Sequence, residues 1–116
     1  MRERRFAPRI PLRAKFEATV ITGDSSSKKE TCAGWTQDAS AGGLNVRDRR
    51  ELPLHCRVDL DLHCTHPIEE MRIHGFVSWV RKDAVQTYVI DIFLDPKHKD
   101  DLVAWRRMLV RRGLKM

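Results

Sequence analysis

Aromatic side chains make up 7% of the 116 residues, and cysteine occurs three times at irregular spacing. So few rings argue against a single-strand nucleic-acid groove, which interleaves exposed aromatics along a strand face. No secretory apolar segment follows the first charges, so the odd cysteine set reads as reduced thiols in a cytoplasm. No apolar run approaches the roughly 20 residues of a membrane span. No internal repeat is present, and the one low-complexity patch, "GDSSSKK" (23–29), reads as an exposed loop. The hydrophobic fraction of 41% supports a compact core, and the length suits one domain.

Charge is plentiful but unevenly spread. Residues 1–15 carry six Arg/Lys against one Glu, and residues 102–116 carry five Arg/Lys and no acid. The stretch between them has eleven basic and fifteen acidic residues, so a mildly acidic body has two basic ends. That asymmetry points to a polyanionic partner: a nucleotide, a nucleic acid or a membrane surface.

Pro8 and Pro11 argue against a helix over 5–15, so the first arginines lie on an extended arm. "KFEATVI" (15–21) alternates and reads as a strand, with "TCAGWTQ" (31–37) as its return and "DASAGG" (38–43) as a turn behind it. "LNVRD" (44–48) starts another strand. In "LHCRVDLDLHC" (54–64), Leu54, Cys56, Val58, Leu60, Leu62 and Cys64 share one face, and His55, Arg57, Asp59, Asp61 and His63 the other. "MRIHGFVSWVRK" (71–82) and "TYVIDIFL" (87–94) form a plausible antiparallel pair. The period then changes. Asp95 is a candidate N-cap and Pro96 a first-turn residue; Leu102, Trp105 and Leu109 share a helical face, and Gly113 ends it. The expectation is a mainly β domain: an antiparallel barrel over 15–116 with a carboxy-terminal helix over 96–112, preceded by a basic arm over 1–14.

Three sets of residues could carry chemistry. His55-Cys56, His63-Cys64 and His66 suggest zinc, but strand alternation sends the cysteines and histidines to opposite faces, so they cannot converge on one ion. The same geometry argues against a Cys–His catalytic pair, and no base or oxyanion hole is marked, so no enzyme is expected. The second set is "RRFAPR" (4–9). On an extended segment Arg5 and Arg9 lie roughly 13–14 Å apart at most. Guanidinium groups fork onto phosphate oxygens or guanine O6 and N7 and stack on bases; lysine does neither as well, and residues 2–9 contain none. A disordered basic tail is the alternative. The third set is "DASAGG": Asp38 and Ser40 can bond their own turn, with Gly42 and Gly43 accepting positive φ. As a site, the Asp38 carboxylate can accept from the N1–H and N2–H2 edge of guanine, and Ser40 and a glycine backbone can approach a phosphate.

Taken together, Arg5-Phe6-Ala7-Pro8-Arg9 and Asp38-Ala39-Ser40-Ala41-Gly42-Gly43 resemble the RxxxR and [D/N]xSxxG motifs of the PilZ-domain family, bacterial receptors for cyclic di-GMP. "LNV", "IHGFVSWV" and "YVIDIFL" follow in the family's order, so the resemblance spans nearly the whole chain, as a single stand-alone domain. It implies a six-stranded antiparallel β-barrel with a carboxy-terminal helix. It further implies that Arg5 and Arg9 take phosphate and guanine contacts, and that Asp38, Ser40 and Gly43 hold a guanine and its phosphate. Arg4 would stack within an intercalated ligand dimer. Trp79 is either a further stacking surface or a core residue. Asp91 stands where the family usually has a small residue, which touches strand packing and neither motif. The implied mechanism is a switch: the messenger draws the arm onto the barrel and changes the surface offered to a protein partner, such as a motor, a polysaccharide synthase or a regulator. Three rivals stand beside it: a nucleic-acid-binding barrel, a PilZ-like scaffold that docks protein without ligand, and a "WRRMLVRR" helix touching anionic lipid.

Overall fold

The computed structural model describes residues 8–21, 29–83 and 86–115, without the side chains of 29–32. Among the described residues, seven strands and one helix follow in chain order: β1 (Arg9–Pro11), β2 (Lys15–Ile21), β3 (Lys29–Ser40), β4 (Gly43–Asp48), β5 (Arg57–Cys64), β6 (Glu69–Lys82), β7 (Tyr88–Leu94) and α1 (Lys99–Arg111). All pairings are antiparallel, in the order β1-β3-β2-β5-β6-β7-β4, and β4 pairs back onto β3. That last pairing closes a six-stranded barrel and leaves no wall edge among those strands.

Alternation places the core. On β2, Phe16, Ala18 and Val20 point in; on β5, Val58, Leu60, Leu62 and Cys64 do the same. Leu44, Val46, Ile73, Val77, Ile90 and Ile92 complete the interior, and Trp105, Met108 and Leu109 of α1 join the same cluster. Each large apolar side chain so buried contributes about 1.5–3 kcal/mol relative to exposure. Leu54 was expected on this face but is exposed: His55 has φ 69°, so residues 54–55 form a turn and β5 starts only at Arg57.

The strand β3 runs on through Asp38, Ala39 and Ser40, where the sequence suggested a turn; only Ala41 and Gly42 make the bend into β4. One edge of β3 carries both β2 and β1, which are interrupted at residues 12–14. Thr36 splices that interruption. Its buried hydroxyl accepts from the Ala14 N–H (2.9 Å) and donates to the Leu12 carbonyl, while its own N–H donates to Ala14 O (2.9 Å). Residues 9–14 of the expected arm are therefore bonded to the sheet, with Leu12 and Ala14 in the core. Residues 1–7 lie outside the described residues, as does most of the 23–31 loop.

The helix starts three residues later than Pro96. Asp95 does not cap it: its carboxylate accepts from the Lys97 N–H (3.0 Å) and its carbonyl from the His98 N–H (3.1 Å), which makes a separate turn. His98 occupies the N-cap position with no side-chain cap bond. At the other end Arg112 is the C-cap and Gly113, with φ 111°, follows it. Leu114 N–H reaches Leu109 O (2.9 Å) and Gly113 N–H reaches Val110 O (3.1 Å), a Schellman closure with Leu114 buried. Arg112 also donates to Pro67 O (2.9 Å), and Arg111 pairs with Glu69, so the basic end of α1 is tied to the β5–β6 connection.

Candidate functional site

The pairing register sets two rows of residues on the outer face of the wall. In one, Arg9 lies opposite Ser40, Ser40 opposite Gly43, and Gly43 opposite Phe93. In the next, Pro11, Asp38, Asn45, Asp91 and Trp79 follow one another across β1, β3, β4, β7 and β6. Ala39, Leu44 and Ile92 fall between the rows and point inward. The pleat thus brings Arg9, Asp38, Ser40 and Gly43 to one patch although 34 positions separate the first from the last.

Arg9 is tied to Asp38 rather than left loose. Its Nε donates to Asp38 Oδ1 at 2.7 Å, and Nη2 approaches the same oxygen at 2.5 Å. Arg9, Ser40, Gly42, Gly43 and Leu44 line a cavity of about 360 Å³ whose far wall is Asp91–Leu94, Pro96, Leu102 and Arg106. A second depression, lined by Arg9, Ile10, Pro11, Gln37 and Asp38, shares Arg9 with the first. Arg9 therefore borders two recesses, with Asp38 lining one and Ser40 the other.

Gly43 is required for a reason other than the positive φ expected of it, since neither Gly42 nor Gly43 has one. A Cβ at Gly43 would sit 2.2 Å from Ile92 O and 3.0 Å from Phe93 Cα, so glycine lets β4 and β7 meet at the cavity wall. Gly42 meets nothing within 4 Å. Asp91 is accommodated: it pairs with Asn45 on one side and Trp79 on the other, and the irregularity in β6, between Val77 and Trp79, lies directly opposite it. Its side chain is mostly buried and lines the cavity.

Trp79 is half-buried on the outer face and not part of the core, with the Arg81 guanidinium carbon 5.6 Å from its ring. It stands three strands from Asp38 along the row, about 14 Å at the usual strand spacing. The structure does not bring it to the Arg9 patch. Arg4 and Arg5 lie outside the described residues. Of the histidine–cysteine set, Cys64 is buried and Cys56 half-buried, and burial pushes both thiols above their ordinary range. His63 points outward between Glu17 and Glu70, 3.6 Å from each.

Residues from the far end of the chain complete the patch. The buried Trp105 indole donates to Ser40 O at 2.8 Å, and Arg106 Nε donates to Ala41 O at 3.4 Å while lining the cavity. Trp105 was legible as a helix-face residue; that its N–H needs an acceptor when buried was the available signal for more. Phe93, 45% exposed, was hidden within an apolar strand pattern.

The PilZ-domain family profile matches residues 3–106. The chain belongs to the PilZ-domain family. This PilZ domain is also similar in structure to the Bacillus subtilis inhibitor of motility MotI/DgrA (TM-score 0.60, 11% identity), covering 93% of this chain and 52% of that one. It thus spans about half the length of that protein. The PilZ domain of CeSA from a cellulose-synthesizing bacterium is similar too (TM-score 0.54, 16% identity), over 87% of this chain and 96% of that one. No curated protein matches the sequence. These identities carry the fold alone; the family match carries membership in a family of cyclic di-GMP receptors. Among the described residues no helix is long and apolar enough to cross a membrane.

Proposed function

We propose that this PilZ domain is a cyclic di-GMP receptor and adaptor, not an enzyme, acting in a bacterial cytoplasm and relaying ligand binding to a protein partner. One observation carries the reading: Arg9, Ser40 and Gly43 converge on a single cavity, with Asp38 held against the Arg9 fork at 2.7 Å. The chemistry is complementary to the messenger. A guanidinium offers planar donors to phosphate and guanine O6/N7, and a carboxylate accepts from the guanine N1–H and N2–H2 edge. A cyclic dinucleotide phosphate competes with Asp38 for Arg9, so ligand entry frees the carboxylate for the base as it occupies the arginine. Arg5 supplies the second guanidinium and Arg4 the stacking plane for a second ligand copy; both roles rest on the sequence motif.

A motility inhibitor and a PilZ domain from a cellulose-synthesizing bacterium among the similar folds fit an output directed at a protein. On α1, Arg111 and Arg112 are engaged with Glu69 and the β5–β6 connection, which favours structure over lipid contact for that basic end. Calorimetry and amide chemical shifts with cyclic di-GMP, against GTP and cyclic AMP, test the reading. Heat and shifts at Asp38–Gly43 with the cyclic dinucleotide alone are expected. No response at micromolar ligand refutes it, and a steep salt dependence with oligonucleotides instead would favour the nucleic-acid reading.

A further inference from the structure

On the far side of the Asp95 turn from the cavity, five titratable side chains crowd the joint between α1 and the barrel. His74 on β6 and His98 at the start of α1 stack their rings with centroids 4.0 Å apart and planes 12° off parallel. Asp101, in the first turn of the helix, sits 2.7 Å from His74 Nδ1 and accepts the His74 backbone N–H at 3.1 Å. Asp59 Oδ1 lies 3.8 Å from His74 Nε2, and Asp95 Oδ2 lies 3.8 Å from His98 Nε2. One ligand atom each from His74, His98 and Asp101 fall within 4.8 Å of one another.

We propose that His74, His98 and Asp101 form a binding site for a divalent transition-metal ion of the zinc class, with water completing the coordination and Asp59 as an outer carboxylate on the other ring nitrogen of His74. Four observations support it. Two imidazoles with carboxylates are the donor set that borderline dications favour, whereas magnesium and calcium take oxygen alone. Ligand atoms around a tetrahedral zinc with bonds of about 2.0–2.1 Å lie about 3.4 Å apart, so the trio reaches coordination distance once the His98 ring turns out of its stack on His74. Asp59 Oδ1 is shielded from solvent and accepts no hydrogen bond among the described residues, although it faces the His74 ring. Coordination of the ion through His74 Nδ1 places the ring proton on Nε2, which offers that oxygen a donor. Finally, His98 fills an N-cap position without capping the helix, so helix formation does not account for its side chain. Asp95, hydrogen-bonded into its own turn, stands beside His98 as an outer support.

The site does not depend on the dinucleotide reading, because none of its residues lines the Arg9 cavity. Its effect is mechanical: an ion held by β6 and the start of α1 staples the helix to the wall, and binding free energy becomes folding free energy. The test uses the full chain stripped with a chelator, then titrated with Zn²⁺ by calorimetry and thermal melting. Saturation at one ion per chain is expected, with a melting temperature that rises with Zn²⁺ and histidine side-chain NMR shifts at His74 and His98. His98→Ala is expected to keep the metal-free melting temperature and weaken binding by at least about tenfold. Asp59→Asn, which keeps the shape, should weaken it as well. Co²⁺ in place of Zn²⁺ reports the donor atoms: a nitrogen–oxygen spectrum supports the site, and a thiolate charge-transfer band, marking capture by cysteine, overturns it. Binding that is undiminished in His98→Ala, or no thermal response to Zn²⁺, also overturns it.

Discussion

Two arginine–aspartate pairs cross neighbouring strands of this barrel, and they are built differently. Arg72 and Asp61 sit directly opposite one another across β6 and β5 and meet edge to edge: Nε to Oδ1 at 2.8 Å, Nη2 to Oδ2 at 3.0 Å. Both carboxylate oxygens are used, and the pair lies open to solvent. Arg9 reaches Asp38 diagonally and places Nε and Nη2 on one oxygen, Oδ1. Among the described residues, no partner is recorded for Asp38 Oδ2. The first pair uses both carboxylate oxygens in the open; the second brings two donors to one oxygen beside the cavity. The same two residue types thus form a solvent-open, two-oxygen pair in one place and a one-oxygen pair beside a cavity in the other, and only geometry separates them.

The largest contrast is expected in ligand binding. Arg9→Ala should weaken cyclic di-GMP by about 2–5 kcal/mol in calorimetry, while Arg72→Ala leaves affinity unchanged. Equal losses would erase the distinction, and no loss at Arg9 would refute the assignment. Next comes the wall beneath the patch. Gly43→Ala drives a methyl into Ile92 O and should destabilise the fold by about 1–3 kcal/mol in urea titration, whereas Gly42→Ala, pointing into open space, should not. Trp105→Phe removes the donor to Ser40 O and is expected to cost about 1–3 kcal/mol by the same measurement. An unchanged midpoint would show that the indole does not brace the motif.

The smallest effect belongs to the solvent-open pair. The hydrogen bond from Arg72 holds the Asp61 carboxyl below its ordinary range. A carboxyl depressed in the folded state stabilises above its unfolded value, about 3.9, and that contribution is lost as pH falls through the lower folded value. Asp61→Asn should therefore lower stability slightly at neutral pH and converge with the parent as pH falls below about 4, which flattens that limb of the profile. A loss that persists undiminished below about pH 4 would show that it does not come from the ionised carboxyl.

Strand positions were legible where one face is apolar: "KFEATVI" coincides with β2 end to end, and the alternation from Val58 to Cys64 marks the interior correctly. Legibility failed where backbone geometry overrides pattern. Leu54 continues the alternation, yet the positive φ at His55 breaks the strand before it. The 38–40 segment carries turn-forming residue types, yet β1 and β4 pair with it on both sides and hold it extended. The arginine and Asp-x-Ser motifs were readable as types and spacing. That Arg9 and Ser40 are cross-strand neighbours was not, because it depends on the Thr36 splice that turns the chain at residues 12–14. The His74–His98–Asp101 group was invisible for a similar reason: a strand and a helix start, far apart in sequence, supply it.

The indole bond from Trp105 to the Ser40 carbonyl makes the first half of the chain and its last helix a single lever. An occupant that moves the Ser40 backbone further than that bond can stretch, roughly 0.4 Å, must either carry α1 with it or break a buried contact. A surface reader watching the exposed flank of that helix would then register events in a recess it never touches.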